Sequence, residues 1–283
     1  MPLLTRAWIA YGRLRRRIGK PPFEAFEEGR EGWVREHAPG RTFADIGGLF
    51  RYAGDIALLA EASGATKTTL MDAGDPDLTE FIQKREQRDS SVRFVQGGVE
   101  DPETIEAVGP HDIVWCTGVI YHTPNPVRQL MLLREITREF LYLGTHTVPD
   151  LPGLRNLCVY YPEIGEGSRK LFASAHHEPD NLWGIGRPFD YRPMWGNANF
   201  WWGISPSALR AMLATARFEV VEERRVRETP FFTEIVARPV DEPPLLPPLN
   251  YFRERGKVRE TTGERLAFDD YYEQRADTSD SSA

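Results

Sequence analysis

The stretch Phe43-Ala44-Asp45-Ile46-Gly47-Gly48 decides the fold, because it has the form of a buried strand that ends in a tight turn. The two glycines lack side chains and would let a ligand approach the backbone. The next strand candidate ends in Leu70-Met71-Asp72-Ala73. Asp72 therefore falls about where a β-α-β unit places an acid that binds ribose hydroxyls. Asp72 could instead only cap the following helix, but Asp45 and the glycines together favour a nucleoside site.

From residue 41 to residue 145 the sequence alternates short β-branched or aromatic runs with longer amphipathic stretches, which predicts a parallel sheet with crossover helices. The strand candidates are residues 42–46, 68–71, 92–95, 112–116 and 140–143. The helix candidates are residues 52–62, 76–88, 102–108 and 126–137, three of which have a proline close to the first turn. This order indicates a Rossmann-like α/β fold.

A long aromatic-rich insertion, residues 146–203, follows the fifth strand candidate and is too apolar to be left in solvent. We expect it to cover a site. Its aromatic residues are Trp183, Phe189, Tyr191, Trp195, Phe200, Trp201 and Trp202, interleaved with Arg192, Asn197 and Asn199. They form either a pocket for a flat or ringed molecule or plain core packing. Ser205 then caps a helix, and strand candidates follow at residues 218–221 and 232–237.

The sequence divides into three parts. We expect residues 1–40 to form an N-terminal helical extension, residues 41–240 to form the α/β domain, and residues 241–283 to form a C-terminal extension whose last residues are disordered. The first part contains a helix with a basic face and apolar positions at helical spacing. The basic residues are Arg13, Arg15, Arg16, Arg17 and Lys20, and the apolar ones are Trp8, Ile9, Leu14 and Ile18. We interpret the basic face as solvated, with RNA or membrane contact as alternatives.

Composition limits the partner and the compartment. The 283 residues carry a formal net charge of −7, which argues against a broad phosphate-binding surface. Cys116 lies in an apolar run where a buried free thiol is usual, and Cys116 and Cys158 cannot form a framework of disulfides. No stretch has the form of a signal peptide or is apolar enough to span a bilayer. We therefore expect a cytoplasmic protein without a membrane partner, and the oligomeric state stays open.

The turn after Asp45 does not fit a dinucleotide. It lacks three spaced glycines, and Leu49 and Phe50 would crowd a pyrophosphate. A cofactor that has a ribose but no phosphate fits better.

Over about residues 41–145 the sequence resembles class I S-adenosylmethionine-dependent methyltransferases. The resemblance rests on the order Asp45-x-Gly47, Asp72, Val95-Gln96-Gly97-Gly98-Val99-Glu100-Asp101 and Asp112-Ile113-Val114-Trp115-Cys116-Thr117-Gly118-Val119-Ile120-Tyr121-His122. Within that superfamily, Gly118-Val119-Ile120-Tyr121-His122 with Asn125-Pro126 and Leu130 resembles the group of tRNA wobble-uridine carboxymethyl-transferases and related small-molecule methyltransferases.

This resemblance implies a seven-stranded, mostly parallel sheet with an antiparallel final strand, and S-adenosylmethionine across the carboxyl ends of the first four strands. It also implies roles for individual residues. Asp45, Gly47 and Gly48 would hold the amino-acid portion, Asp72 with Ala73 beside it the ribose, and Val99 with Glu100 or Asp101 the adenine, while Thr117 and Gly118 would line the sulfonium. The sequence departs from the pattern at Leu49, which replaces a third glycine, and at Gly98, which replaces an acid. The first departure implies a wider or displaced turn.

Candidate catalytic residues follow the fourth and fifth strands. Tyr121 and His122 would lie beside the methyl group, and His122 could take a proton near neutral pH or only orient a loop. His146 is a second candidate base. His176, His177 and Glu178 look like metal ligands, but adjacent histidines on an irregular segment rarely point the same way, so we expect no metal site.

These observations favour an enzyme that transfers a methyl group to an oxygen or nitrogen of a small-molecule acceptor, as in secondary metabolism. One alternative is a tRNA-modifying methyl or carboxymethyl transferase, which the Tyr121-His122 motif and the basic helix suggest. A second is a non-catalytic nucleoside-binding protein of the same fold, which the altered glycine turn suggests.

Overall fold

The centre of this protein is a sheet of parallel strands whose side chains are buried on both faces. The alternation of strand and helix candidates along the sequence predicts such a sheet. The computed structural model describes residues 2–18, 23–24, 26–74, 77–173, 189, 200–226 and 231–241. The chain divides into two units, Met1–Glu242 and Pro243–Ala283, and the second unit lies outside the described residues.

The described elements alternate along the chain. The strands are β1 (Phe23–Glu24), β2 (Thr42–Ile46), β3 (Lys67–Asp72), β4 (Arg93–Gln96), β5 (His111–Thr117), β6 (Thr137–His146), β7 (Cys158–Tyr160), β8 (Trp202–Ile204), β9 (Phe218–Val226) and β10 (Phe232–Pro239). The helices are α1 (Pro2–Ile18), α2 (Phe26–His37), α3 (Asp55–Ala62), α4 (Leu78–Gln87), α5 (Pro102–Val108), α6 (Pro126–Ile136), α7 (Glu166–Ala173) and α8 (Pro206–Thr215), with a short 3-10 turn at Ile120–His122.

The main sheet confirms the predicted Rossmann-like α/β fold. Its strand order is β1-β9-β10-β6-β5-β2-β3-β4. Strands β2 to β6 run parallel, and β10 is antiparallel to both β6 and β9. The expected seven strands are therefore present with an antiparallel final strand. The two-residue β1 adds an eighth strand at the edge, parallel to β9, and is too short to give a periodic signal in the sequence.

Aromatic stacking joins α2 to the middle of the sheet. Trp115 on β5 stacks on Tyr142 on β6 with ring centroids 3.8 Å apart, and Trp33 of α2 packs edge-on against Tyr142 at 5.0 Å. Cys116, next along β5, is buried as a free thiol, as expected, and burial raises its pKa. This packing fixes α2 over the strands that lead to the site.

Two element boundaries differ from the prediction for local reasons. Helix α3 begins at Asp55 rather than at residue 52, because Arg51, Ala53 and Gly54 have positive φ angles and form a tight turn. Strand β6 begins at Thr137 rather than at residue 140. The Thr137 hydroxyl donates to the carbonyl oxygen of Leu133, so helix α6 passes into the strand without a loop.

The described part of the insertion contributes the antiparallel pair β7 and β8 and the helix α7. Predictions for His176, His177, Glu178 and most of the interleaved aromatic and polar residues fall outside the described residues. The N-terminal helix is present as α1. Leu14, one of the apolar positions of this helix, is 55% exposed.

Candidate functional site

The turn that follows β2 requires glycine at two positions. Gly47 has a φ angle of 77°, in the left-handed region that favours glycine. A Cβ at Gly47 would overlap the Val119 side chain, and a Cβ at Gly48 would overlap the Asp45 carboxylate. The Gly47 amide donates to the carbonyl oxygen of Met71 at 2.7 Å, which ties the turn to the end of β3. The turn therefore brings main chain without side chains to the carboxyl edge of the sheet.

The Asp45 side chain is buried against this turn. It is 1% exposed, and its Oδ2 atom has no hydrogen-bond partner among the described residues. Burial, together with the charge of Asp72, raises the pKa of Asp45 from 3.8 to about 7, and Arg30 opposes the rise. A buried carboxylate oxygen without a donor is costly unless a ligand supplies one. Asp45 is therefore a candidate to contact a cationic or hydrogen-bond-donating ligand.

Asp72 lies at the carboxyl end of β3, where its carboxylate is fixed to the glycine turn. Its Oδ2 atom accepts from the Leu49 amide at 3.1 Å, and its Oδ1 atom accepts from the Gly74 amide at 3.3 Å. Asp72 does not cap the next helix, because the residue at the N-cap of α4 is Asp77. Asp72 and Asp45 thus flank one turn.

The Leu49 side chain, which with Phe50 was expected to crowd a pyrophosphate, lies on the core side of the turn. It is fully buried and packs with Ala53, Leu58, Leu70 and Phe81. Only the Leu49 amide reaches Asp72. Replacing the third glycine of the pattern by leucine therefore adds core contacts and leaves the carboxyl edge open.

The loop after β4 contains two acidic residues, Glu100 and Asp101, either of which could contact the adenine according to the sequence. The structure gives them different environments. Asp101 caps α5 by accepting from the Thr104 amide at 3.2 Å and from the Thr104 hydroxyl at 2.6 Å. Glu100 is exposed, and Val99 is buried beside it. A Cβ at Gly98 would meet no atom within 4 Å, so this loop borders open space. Glu100 is therefore the acid of this loop that a ligand can reach.

The ends of β5 and β6 bring together the three candidate catalytic residues. The Tyr121 ring lies 4.2 Å from the His122 ring and 4.8 Å from the His146 ring, measured between centroids. Phe200 contacts all three, at 4.2 Å from Tyr121 and 5.2 Å from each histidine. Phe232 packs edge-on against His146 at 5.1 Å. Tyr121 is buried, which raises its pKa, so it stays a neutral hydrogen-bonding group.

The insertion is attached directly to this group of rings. The Trp201 amide donates to the Tyr121 carbonyl oxygen at 2.8 Å, and the Tyr161 amide donates to the Trp201 carbonyl oxygen at 2.9 Å. The Trp202 indole donates to the carbonyl oxygen of Pro124 at 3.1 Å. These bonds hold Phe200 against the histidines.

Arg30 is a site residue that the sequence analysis missed. It lies on α2, is 6% exposed, and forms an ion pair with Glu234 of β10. Glu234 also accepts from the Tyr142 hydroxyl at 2.8 Å, and the Arg30 guanidinium lies 5.4 Å from the centre of the Phe232 ring. A signal was present, because Arg30 precedes the buried Trp33 by three residues and shares its helix face.

The predicted cofactor-binding and catalytic residues lie at or just after the carboxyl ends of β2 to β6, at one edge of the sheet. Around the glycine turn are Asp45, Gly47, Gly48, Asp72 and Ala73; after β4 are Val99 and Glu100; after β5 and β6 are Thr117, Gly118, Tyr121, His122 and His146. Among the described residues, no group of histidine, cysteine and acidic side chains could hold a metal ion.

Comparison with solved structures finds several that are similar to this chain. The N-terminal domain of EvdMO1, crystallised with SAH bound, matches with a TM-score of 0.50 and 18% identity over 77% of this chain and 82% of that one. An O-methyltransferase family protein from Burkholderia thailandensis matches with a TM-score of 0.49 and 16% identity over 83% of this chain and 60% of that one. Magnesium protoporphyrin IX methyltransferase ChlM from Synechocystis PCC 6803 with bound SAM matches with a TM-score of 0.44 and 14% identity over 84% of this chain and 97% of that one.

The first of these structures shows that this chain has the same Rossmann-like fold as the EvdMO1 domain. No protein-family model matches the chain, and no curated protein matches it.

Proposed function

We propose that this chain is an S-adenosylmethionine-dependent methyltransferase. The observation that carries the proposal is that Asp45 and Asp72 flank a turn of bare main chain at the carboxyl edge of a parallel sheet. Open α/β sheets bind their ligands at this edge. The EvdMO1 domain of the same fold was crystallised with SAH, which supports an adenosyl ligand.

The residues at the edge fit the parts of such a cofactor. The Oδ2 atom of Asp45 would accept from the α-amino group, which gives this buried oxygen the donor that it lacks. Gly47 and Gly48 leave space for the amino-acid portion. Asp72 would accept from the ribose hydroxyls, because its carboxylate is already oriented by the turn. Glu100 would accept from the adenine amino group.

The cofactor supplies a methyl group bonded to a sulfonium. Thr117 and Gly118, at the end of β5, would lie beside that group. Tyr121 and Phe200 are buried beside this position and would limit the access of water to the methyl group. His122 and His146 would accept the proton that an oxygen or nitrogen acceptor releases near neutral pH.

Two features favour a small-molecule acceptor: the net charge of the chain and the packing of the insertion over the site. The net charge of −7 disfavours a polyanionic acceptor. Phe200 packs on Tyr121, His122 and His146, so the space beside the histidines is enclosed by the insertion. An enclosed aromatic surface suits a compact acceptor.

We expect Asp72→Ala to weaken binding of both S-adenosylmethionine and S-adenosylhomocysteine by at least about tenfold, or about 1.4 kcal/mol. The physical reason is the loss of the acceptor for the ribose hydroxyls. Isothermal titration calorimetry of the wild type and the variant measures the change.

Asp112→Ala is the matched control. Asp112 also accepts two hydrogen bonds, from the Thr42 amide and the Thr42 hydroxyl, both at 2.8 Å, but it lies at the amino end of β5. Its loss should leave the dissociation constant unchanged. Equal dissociation constants for the Asp72 variant and the wild type would show that the ribose contact is misassigned, and a wild type that binds neither ligand would refute the proposed function.

A further inference from the structure

Helix α1 has one face that packs on the protein. Ile9 is buried, and the Trp8 indole donates to the carbonyl oxygen of Pro149 at 2.9 Å. A Cβ at Gly12 would overlap the Pro149 ring, so α1 and Pro149 approach closely. Ile9 belongs to the same hydrophobic cluster as Tyr121 and Phe200. This inner face therefore docks α1 beside the candidate site.

The opposite face of α1 is apolar and exposed. Leu3 is 81% exposed, Leu4 is 77% exposed and Leu14 is 55% exposed, and Ala7 and Ala10 between them are exposed as well. Residues 3, 7, 10 and 14 lie on one stripe of a helix, since their spacing alternates between four and three. Single exposed leucines are ordinary, but a continuous stripe of this kind marks a contact surface.

Charge is strongly segregated between α1 and the other residues. The helix contains Arg6, Arg13, Arg15, Arg16 and Arg17 and no acidic residue. The whole chain carries −7 and this helix carries +5, so the remainder of the chain carries −12. The partner of α1 must therefore accept both arginines and leucines.

We propose that α1 binds the surface of an anionic phospholipid bilayer. A helix with an apolar stripe and many arginines lies in the membrane interface, where acyl chains take the apolar side chains and anionic headgroups attract the cations. No described helix is long and apolar enough to cross a membrane, so this contact is peripheral. This proposal of surface attachment departs from the expectation of a chain without a membrane partner.

The charge of α1 disfavours the other occupants. A second copy of the chain that paired through the same helix would bring two helices of +5 together, and like charges at an interface repel. An RNA partner would contact the arginines but would leave the stripe of Leu3, Ala7, Ala10 and Leu14 in water. Of these three occupants, the anionic bilayer is the one that uses both properties. The inference does not depend on the activity of the site.

Flotation of the full chain with vesicles tests the proposal. One set of vesicles contains only phosphatidylcholine, and the other contains one quarter phosphatidylglycerol. We expect the wild type to partition roughly tenfold more strongly into the anionic vesicles, and we expect added salt to weaken this binding. The double variant Leu3→Ser with Leu14→Ser should lose roughly tenfold in partitioning, because it removes the ends of the stripe.

Leu154→Ser is the control, because Leu154 is 57% exposed but lies outside α1. It should bind the anionic vesicles as the wild type does. Circular dichroism and urea denaturation verify that each variant is folded. A wild type without preference for anionic vesicles, or a leucine double variant that binds them equally well, would overturn the proposal. Retention on tRNA without vesicle binding, or a dimer that the leucine substitutions dissociate, would assign α1 to RNA or to a second copy instead.

Discussion

Asp45→Asn is expected to stabilise the ligand-free protein at alkaline pH and to weaken cofactor binding. The pKa of Asp45 is 3.8 when unperturbed and about 7 in the fold. Between these values the folded protein retains a proton that the unfolded chain has lost, so its stability falls as pH rises from about 4 and levels off above about 7. Asparagine does not titrate and avoids this loss.

Urea denaturation at two pH values measures the effect. We expect a gain in the free energy of unfolding on the order of 3 kcal/mol at pH 8, and less than half of that gain at pH 5. The dissociation constant for S-adenosylmethionine should rise at least about tenfold, because a charged acceptor for the α-amino group is lost.

Asp112→Asn is a control of opposite sign. Hydrogen bonds from Thr42 and the charge of Arg138 lower the pKa of Asp112, although partial burial acts against them. This carboxylate therefore stabilises the fold above its unfolded pKa, and removing its charge should destabilise the protein at pH 8. A destabilised Asp45→Asn variant with unchanged cofactor affinity would mean that Asp45 is an ordinary structural acid.

Arg30→Met is expected to have the largest effect on stability. It leaves Glu234, which is 4% exposed, without its cation, and breaking a buried ion pair on one side costs about 3–5 kcal/mol. The double variant Arg30→Met with Glu234→Gln should recover most of this loss, because no buried charge remains. Urea denaturation of the two single variants and the double variant gives the coupling energy.

Arg35→Met is the matched control on the same helix. Arg35 pairs with Glu31 at 2.7 Å, but these side chains are 58% and 46% exposed, so the loss should stay within about 0.5 kcal/mol. If Arg30→Met and Arg35→Met cost the same, the Arg30–Glu234 pair is not the anchor of α2 that its burial indicates.

The parallel sheet and the glycine turn were predictable because their signals are local. Each strand of β2 to β6 contains a run of apolar or β-branched residues, and Asp45, Gly47 and Asp72 lie at strand ends, where position in the sequence alone determines the sheet edge. The predicted order of strands and helices therefore agrees with the observed parallel sheet, and the predicted residues of the glycine turn lie together at one edge of that sheet.

The features that the sequence did not predict depend on contacts between segments that are distant along the chain. Phe200 meets His122 and His146 only after the insertion folds back. Arg30 pairs with Glu234, which lies 204 residues further along the chain, and no residue near Arg30 in the sequence indicates this partner. The burial of Leu49 in the core and the exposure of Leu14 on α1 follow from packing between segments, which the sequence alone does not show.

A crystal structure with S-adenosylhomocysteine tests most directly whether the carboxyl ends of β2 and β3 bind an adenosyl cofactor. We expect the ribose hydroxyls within hydrogen-bond distance of the Asp72 carboxylate and the α-amino group beside the Oδ2 atom of Asp45. Density for the ligand at any other place, or none at a saturating concentration, would contradict the assignment.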